Sequence, residues 1–586
     1  MSEKRWIHRP LPETQDELQA VDDLSRQLNI NPFLAMLLVQ RGIRNFEESR
    51  TFFRPELSHL HDPFLMRDMD KAILRLEMAF LREEKILVYG DYDVDGTTSV
   101  TLFYGFLKTI YPNLDYYIPD RYKEGYGVSA AGIDWAEENG FTLIVSLDCG
   151  IKSVERVTDA WNRGIDFIIC DHHRPGAELP PAVAVLDPKR ADCDYPYKEL
   201  TGCGVGFKLL QALCMHRGLP LETLYAYLDL LVVSIASDIV PISGENRVLA
   251  YYGLKRLNAG PRPGLQALID IAGLKSELDI MNVVFGIGPR INAAGRIQHA
   301  KAAVQLLLSG TLEEAAEHAF AINEHNNSRR QYDSSITEEA LAMIQADEWL
   351  QRAKTTVLFN NNWHKGVIGI VASRCIEHFH RPTIILTQSH EKAAGSARSV
   401  PGFDVYEAIE ECADLLEQFG GHTFAAGLTL KIENIPLFRQ KFEEVVSRRI
   451  REEQLVPMID VDMPLDFSAI DMKFFKIVRQ MSPFGPENMC PVFSSDDVYL
   501  VGGPYILKEK HLKMQVRQGR SSQVLNCIGF NMAHHALFLN RDEPFSICYH
   551  VELNTYNGQQ SLQLHLKDLK TRVTHPQPSP LHETTA

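Results

Sequence analysis

The chain of 586 residues holds ten cysteines but no CxxC pair. A zinc knuckle or a thioredoxin-type motif therefore has no basis. Scattered cysteines in a chain this long read as reduced, mostly buried thiols. There is no run of about 18 uninterrupted apolar residues, which argues against a membrane span. The nearest approach, 228–239, is short and runs into an aspartate. Residues 1–10 are charged and lack an apolar stretch, so no signal peptide is expected and a cytoplasmic location is. Positive charge is also scarce, with a formal net charge of -16. That balance disfavours an anionic partner overall. A local basic groove nevertheless matters more than the sum, and bound cations offset clustered acids.

What is present is globular: 45% hydrophobic and 23% charged residues. The length suggests three or four domains. Residues 1–80 read as an amphipathic helical segment. From 81 to 310 short apolar runs alternate with helices. Strands are expected at 85–90, 116–119, 141–147, 165–170 and 182–186, and helices at 97–110, 129–139 and 153–163. That alternation predicts an α/β core with a doubly wound parallel sheet. Residues 311–365 contain neither glycine nor proline, and apolar residues recur there at helical spacing. This predicts a long connecting helix over 311–355, or two packed helices with a polar break near 325–330. Residues 356–452 are again mixed and read as a second α/β lobe. Short alternating segments at 498–501, 511–516, 524–530, 545–553 and 561–566 predict a five-stranded barrel of oligonucleotide-binding type within 456–571. The Pro- and Thr-rich residues 572–586 read as a disordered tail.

Three of the core strands end in potential metal ligands. The first runs into Asp91-Tyr92-Asp93-Val94-Asp95-Gly96, the third into Asp148-Cys149-Gly150, and the fourth into Asp171-His172-His173. In a parallel sheet these lie together at the carboxyl edge, where ligands bind in open α/β folds. Ser237-Asp238 ends a further apolar stretch. Carboxylates converging there repel one another unless cations neutralise them. Mixed oxygen and imidazole donors suit Mn2+ or Mg2+. Two such ions can activate a water and stabilise a leaving oxygen in phosphodiester hydrolysis. Gly96 permits a tight turn, and Thr97, Thr98 or Ser99 can cap the following helix. A calcium loop at 91–96 lacks its glutamate, since Leu102 stands at the twelfth position. Each motif alone has an ordinary explanation as turn or surface polarity; their joint placement at strand ends is what points to a site.

DYDVDG at 91–96, SLDCG at 146–150, DHH at 171–173 and SD at 237–238 resemble, in order and spacing, the four motifs of the DHH phosphoesterase family. The resemblance implies that Asp93, Asp95, Asp148, His172 and Asp238 are metal ligands, with Asp148 bridging two ions. It implies that His173 contacts the scissile phosphate, which makes Asp148 and His173 the catalytic pair. Some members use a histidine four residues before the position of Asp93. Here that position is Tyr89, and Asp91 is the candidate substitute. Strings at 120–127, 289–296, 363–369, 395–399, 420–422 and 482–485 are similar to the branch of the family that degrades single-stranded DNA. From this, Arg121, Ser396 and Arg398 are expected to hold a 5′ end, Tyr126 to stack a base, and Arg290 and Arg296 to line the strand's path. Gly421 and His422 are expected to let backbone approach a nucleotide, although a plain turn explains the glycines equally well. Arginine matches phosphate geometry with paired donors; a structural ion pair is the competing role for Arg290 or Arg296.

Between 501 and 571 there are eight Lys/Arg against five Asp/Glu, and Lys508, Lys510, Lys513, Arg517 and Arg520 crowd one expected hairpin. A groove that grips a backbone without reading sequence looks like this; a solvated basic face does too. The resemblance implies a metal-dependent exonuclease that works 5′ to 3′ on single-stranded DNA and releases mononucleotides, in repair and recombination. A single-strand-binding protein and a helicase are the implied partners. The alternatives are a DHH phosphodiesterase acting on short oligoribonucleotides or small nucleotides, and a non-catalytic DNA-binding scaffold.

Overall fold

In a computed structural model of the chain, the described residues are 4–571 except Gln298 and Asn557. The tail expected at 572–586 lies outside them. The described residues fold as two compact units: 56–455 with 483–487, and 4–55 with 456–482 and 488–571. No helix among them is long and apolar enough to cross a membrane.

The first unit is organised by five strands, β1 (Ile86–Gly90), β2 (Leu114–Tyr117), β3 (Leu143–Leu147), β4 (Asp166–Cys170) and β5 (Ala184–Leu186). They lie in the order β2-β1-β3-β4-β5 with every pairing parallel. β1 and β3 are buried at every position, as strands covered on both faces must be. Alternation splits them between two cores: Ile86 and Val88 join one apolar cluster, Leu87 and Tyr89 the other. The doubly wound sheet read from the sequence is the observed one.

The first core helix, α1 (Val94–Leu107), begins three residues earlier than the spacing predicted. Asp93 caps it, its carboxylate accepting from the Gly96 N–H at 3.0 Å. The hydroxyls of Thr97, Thr98 and Ser99, expected as caps, instead donate to the carbonyls of residues 93, 94 and 95. The acidic turn is therefore folded into the strand–helix junction. Gly96 is required there, because a Cβ would stand 2.4 Å from the Asp91 carbonyl oxygen. Against α1 pack α2 (Gly202–Arg217) and α3 (Leu228–Ser237). A π-helical turn, Val283–Ile287, leads into α4 (Gly288–Ile297).

The connecting helix, α5 (Leu312–Ala346), is continuous over 35 residues, without the alternative break near 325–330. At 1.5 Å per residue it spans about 52 Å. It stops where the Asp347 carboxylate accepts from the Trp349 and Leu350 N–H groups and starts a new, short helix. Ala315, Ala319 and Ile322 belong to the core of the parallel-sheet lobe, whereas Ile336, Ala340 and Ile344 belong to that of the second lobe. That lobe is a mixed sheet of β6 (Thr356–Asn360), β7 (Thr383–Ser389), β8 (Lys392–Arg398), β9 (Gln418–His422) and β10 (Ala425–Lys431), in the order β9-β10-β8-β7-β6. Helices α6 (Ile368–Phe379) and α7 (Ile435–Arg449) complete it.

The second unit contains the expected barrel: β11 (Phe493–Leu507), β12 (His511–Gln518), β13 (Leu525–Gly529), β14 (Phe545–Tyr556) and β15 (Gln559–Thr571). The order is β11-β12-β13-β15-β14, and β14 pairs back with β11 to close it. Residues 1–80, read as one helical segment, divide instead near Pro55. Arg5–His8 is a strand, paired in parallel with Met458–Val461. Trp6 Nε1 donates to Asp568 at 2.8 Å, and Gln40 Nε2 donates to the Pro10 and Asp462 carbonyls. Except for Pro10, these partners lie more than four hundred residues away, outside the reach of any local pattern.

Beneath α2, Lys208 is fully buried and 3.1 Å from the buried Glu245 carboxylate. Glu245 also accepts from Tyr195 Oη and the His61 N–H, and Lys208 donates to the His61 carbonyl. Every charge in this knot is met. Glu245→Ala would leave the Lys208 ammonium unpaired in the interior, and a loss of about 3–5 kcal/mol in urea-unfolding free energy is the expected result.

Candidate metal centre and adjoining arginine pocket

The parallel sheet brings the ends of β1, β3 and β4 to one edge, and α3 delivers Asp238 from its C-cap. His172 Nε2 lies 3.1 Å from Asp148 Oδ1 and 3.7 Å from both Asp95 Oδ2 and Asp238 Oδ2. His173 Nδ1 lies 4.0 Å from Asp148 Oδ1. Two sets of potential ligand atoms are close enough to share an ion: Asp148, His172 and His173, and Asp95, His172 and Asp238. Asp91 and Asp93 stand beside them. Asp91 Oδ2, Asp148 Oδ1 and both His172 ring nitrogens are buried without a hydrogen-bond partner. Buried polar atoms are seldom left so. Orphaned atoms of this donor set, in this place, fit hard divalent cations.

The electrostatics agree. Burial pushes Asp148 well above the usual carboxylate range, and repulsion from Asp95, Asp93, Asp238 and Asp171 pushes it further. Asp91 and Asp238 are raised well above it for the same reasons, burial first and neighbouring carboxylates second. Burial also raises Asp93, with help from Asp95. Burial holds His172 below its ordinary value, keeping a neutral ring with a lone pair to offer.

Local geometry fixes these groups. Asp95 accepts from the Gly202 and Cys203 N–H groups at the start of α2, at 2.7 and 3.0 Å, and from Ser234 Oγ at 2.7 Å. Asp148 has a left-handed backbone, φ +60°, a conformation that costs an aspartate free energy and recurs at functional sites. A Cβ on Gly202 would stand 2.6 Å from Asp148 Cα, so glycine is what lets α2 start against the aspartate. Asp171 binds the turn: its carboxylate accepts from the N–H groups of Ile151, His172 and His173. It also meets His173 Nδ1 at 2.7 Å. Burial opposes its charge, but the His173 bond and the surrounding donors hold Asp171 down at about 2. Burial likewise opposes a charged His173, yet the Asp171 bond and the fields of Asp171, Asp238 and Asp95 lift it to about 9. His173 thus holds its proton more tightly than an ordinary imidazole. Its far nitrogen meets Tyr126 Oη at 3.1 Å, and Tyr126 also meets the Asp148 carbonyl at 3.1 Å. The Tyr126 hydroxyl is engaged in holding His173, while about half of the residue stays exposed. Tyr89 is fully buried and bonded to Gly127 and Ser129, away from any ligand role.

Next to the carboxylates lies the opposite charge. The Arg121 guanidinium sits 4.8 Å over the ring of Tyr92, the residue between Asp91 and Asp93 in sequence. Burial lowers Arg296 to about 10, and repulsion from Arg121, Arg329 and Arg398 adds to it. Arg121 from the core, Arg329 from α5 and Arg398 from β8 therefore all lie close enough to Arg296 to repel it. Arg398 Nη1 bonds to Ser396 Oγ at 3.0 Å, and Arg296 Nη1 to the Gly366 carbonyl at 2.9 Å. Arg329 Nε is buried with no partner. A pocket of mutually repelling guanidinium groups is suited to a phosphate. Arg290 is buried and bonds the Gly286 carbonyl and Asn323, and burial, then repulsion from Arg330 and Arg329, lowers it. His422 faces Ala425, which faces Arg398 in register. Gly421 has φ +154° and would place a Cβ 2.4 Å from the Ala425 carbonyl, so the β9–β10 hairpin itself accounts for that glycine.

Family models match this layout in three places. The DHH family N-terminal domain matches residues 85–235, the DHHA1 domain 352–448, and the RecJ OB domain 461–568. The chain is 39% identical over 572 residues to a single-stranded-DNA-specific exonuclease RecJ of Bacillus subtilis, spanning 97% of this chain and 71% of that protein. It belongs to the RecJ family. An Escherichia coli RecJ of the same description is 32% identical, over 94% of this chain and 97% of that one. Among solved structures, RecJ in complex with Mn2+ from Thermus thermophilus superposes with a TM-score of 0.83 at 27% identity, covering 97% of this chain and 80% of that chain. The same RecJ has also been solved with Mg2+.

In this RecJ-family chain several groups at the site went unread in the sequence. β5 supplies a fourth strand end: Asp187 is fully buried beside Asp171, with Oδ2 unpartnered, and burial raises it to about 7. The rule that found the other three strand ends applies to it equally. Arg329 lies in the polar stretch of α5 that resembled a helix break. Ser234, inside an apolar helix, carried no signal at all.

Asp148→Asn keeps the left-handed backbone but removes a repelling charge. The metal-free variant is expected to unfold at a higher temperature than the metal-free parent. The rise in unfolding temperature that Mn2+ gives the parent is expected to disappear; thermal scans with and without Mn2+ measure both.

Proposed function

We propose that this protein is a two-metal exonuclease that degrades single-stranded DNA from its 5′ end to mononucleotides, acting in DNA repair and recombination in the cytoplasm. The observation that carries this reading is the adjacency, within one unit, of a carboxylate–imidazole cluster and a pocket of arginines. Asp93, Asp95, Asp148, His172 and Asp238 would hold two Mn2+ or Mg2+ ions, with Asp91 in the place of the missing histidine. When bound, such ions supply Lewis acidity at the phosphodiester and offset the carboxylate charge.

The chain's own residues do the rest. Arg121, Ser396 and Arg398, joined by Arg296 and Arg329, receive the 5′-terminal phosphate and so set which bond reaches the cluster. His173, bonded to Asp171 through Nδ1 and to Tyr126 Oη through Nε2, would place its positive charge beside the phosphate under attack, in position before charge develops there. Tyr126 offers its exposed ring to a base. The barrel, with Lys508, Lys510, Lys513, Arg517 and Arg520 on and around the β11–β12 hairpin, grips the backbone without reading sequence. A pocket that accepts an unpaired end calls for partners that expose one: a helicase and a single-strand-binding protein.

With a 5′-labelled strand of some forty nucleotides and Mn2+, the first labelled product is expected to be a mononucleotide. Blunt duplex is expected to be cut far more slowly, and chelation to stop the reaction until Mn2+ or Mg2+ is returned. Faster turnover of a diribonucleotide than of the long strand would favour the small-substrate alternative. Arg398→Ala is expected to cut the preference for a 5′-phosphate over a 5′-hydroxyl end by about tenfold, the scale of one charge-assisted contact, read as the ratio of kcat/KM on the two ends.

A further inference from the structure

Ile239 directly follows Asp238, and it is the β-branched residue that stands out among the described non-glycine residues with left-handed backbone, at φ +58°. It occupies the position after the C-cap of α3, where glycine or asparagine usually ends a helix. A side chain branched at Cβ is strongly disfavoured there. Burial does not compensate, since Ile239 is 65% exposed while Val240 and Ile242 just beyond it are buried. The free protein thus bears a strained backbone and a solvated apolar side chain at one residue, next to a candidate metal ligand.

A second exposed apolar group comes from the element packed on the same helix. The π-helical turn Val283–Ile287 packs against α3, and Gly288 after it sits so close that a Cβ would lie 2.8 Å from Ser237 Oγ. Phe285 on this turn is 66% exposed. Single π-helical turns recur at functional sites.

We propose that Ile239, together with Phe285, is a nucleobase contact: an apolar shelf on which a base of the bound strand rests while its phosphate lies at the carboxylate cluster. The inference rests on the single-strand reading above. Ile239 directly follows Asp238 at the helix end, and the bases are the apolar part of a strand whose phosphate lies at that aspartate. Contact with a base face is indifferent to sequence, because every base has one.

The test uses the full chain with Ile239→Gly and, separately, Phe285→Ala. Glycine accepts the left-handed backbone, so Ile239→Gly is expected to unfold at a temperature no lower than the parent's, or about 1–2 °C higher. Its KM for a single-stranded oligonucleotide is expected to rise about fivefold, the loss of one modest base contact. On a strand abasic over its first four nucleotides, the ratio of variant to parent KM is expected to fall towards one, for both variants. An unchanged KM on the normal strand, the same defect on the abasic strand, or a lower unfolding temperature alongside the defect would each overturn the proposal. A parent protein that leaves single-stranded DNA intact would overturn the underlying function instead, and is read before any variant is made.

Discussion

Like charges forced together at the carboxyl edge of a parallel sheet are the constraint on which the rest of this molecule depends. Strand order puts Asp91, Asp148 and the Asp171-His172-His173 turn side by side, and His173 offsets only part of the accumulated charge. The protein instead fixes the geometry so that the carboxylates cannot relax apart. Asp95 is clamped by two backbone N–H groups and a serine, and Asp148 is held in a left-handed backbone against Gly202.

The arginine pocket is the same design in the opposite sign. Burial, with repulsion from Arg121, Arg329 and Arg398 added, depresses the affinity of Arg296 for its proton. Together the two clusters suit a substrate that brings phosphate to one and cations to the other. The net charge of -16 ceases to be awkward in this light. What governs association is the placement of charge on the scale of a Debye length, about 8–10 Å in cellular salt, and the sum over the chain is nearly silent on it.

Much of this was legible in the sequence because strand ends in a parallel sheet are legible. Apolar runs of about five or six residues, each broken by an acidic turn, disclosed the sheet, its edge and most of the cluster. The start of α1 was misjudged because threonine and serine read as caps, when Asp93 had already taken that role and their hydroxyls turned back along the helix. Ser234 and Arg329 escaped because their partners are tertiary: one sits in an apolar helix, the other in a polar stretch that mimics a loop. Ile239 escaped because a left-handed isoleucine leaves no trace in periodicity. The division of the first eighty residues at Pro55 escaped because the pairing of Arg5–His8 is with residue 458 and beyond.

That last pairing bears on how the chain is made. A ribosome adding about 5–20 residues per second releases the Arg5–His8 strand well before Met458–Val461 exists, by roughly twenty seconds at the fastest of those rates. Through that interval the helix that carries Leu34, Leu37 and Leu38, buried in the folded chain, lacks the helix Met472–Gln480 against which it packs. The Arg5–His8 segment waits for a partner made far later in the chain, so nascent chains of this protein present an unmatched strand and an apolar surface through that interval. Holding factors that recognise such segments have their longest opportunity at this end of the molecule.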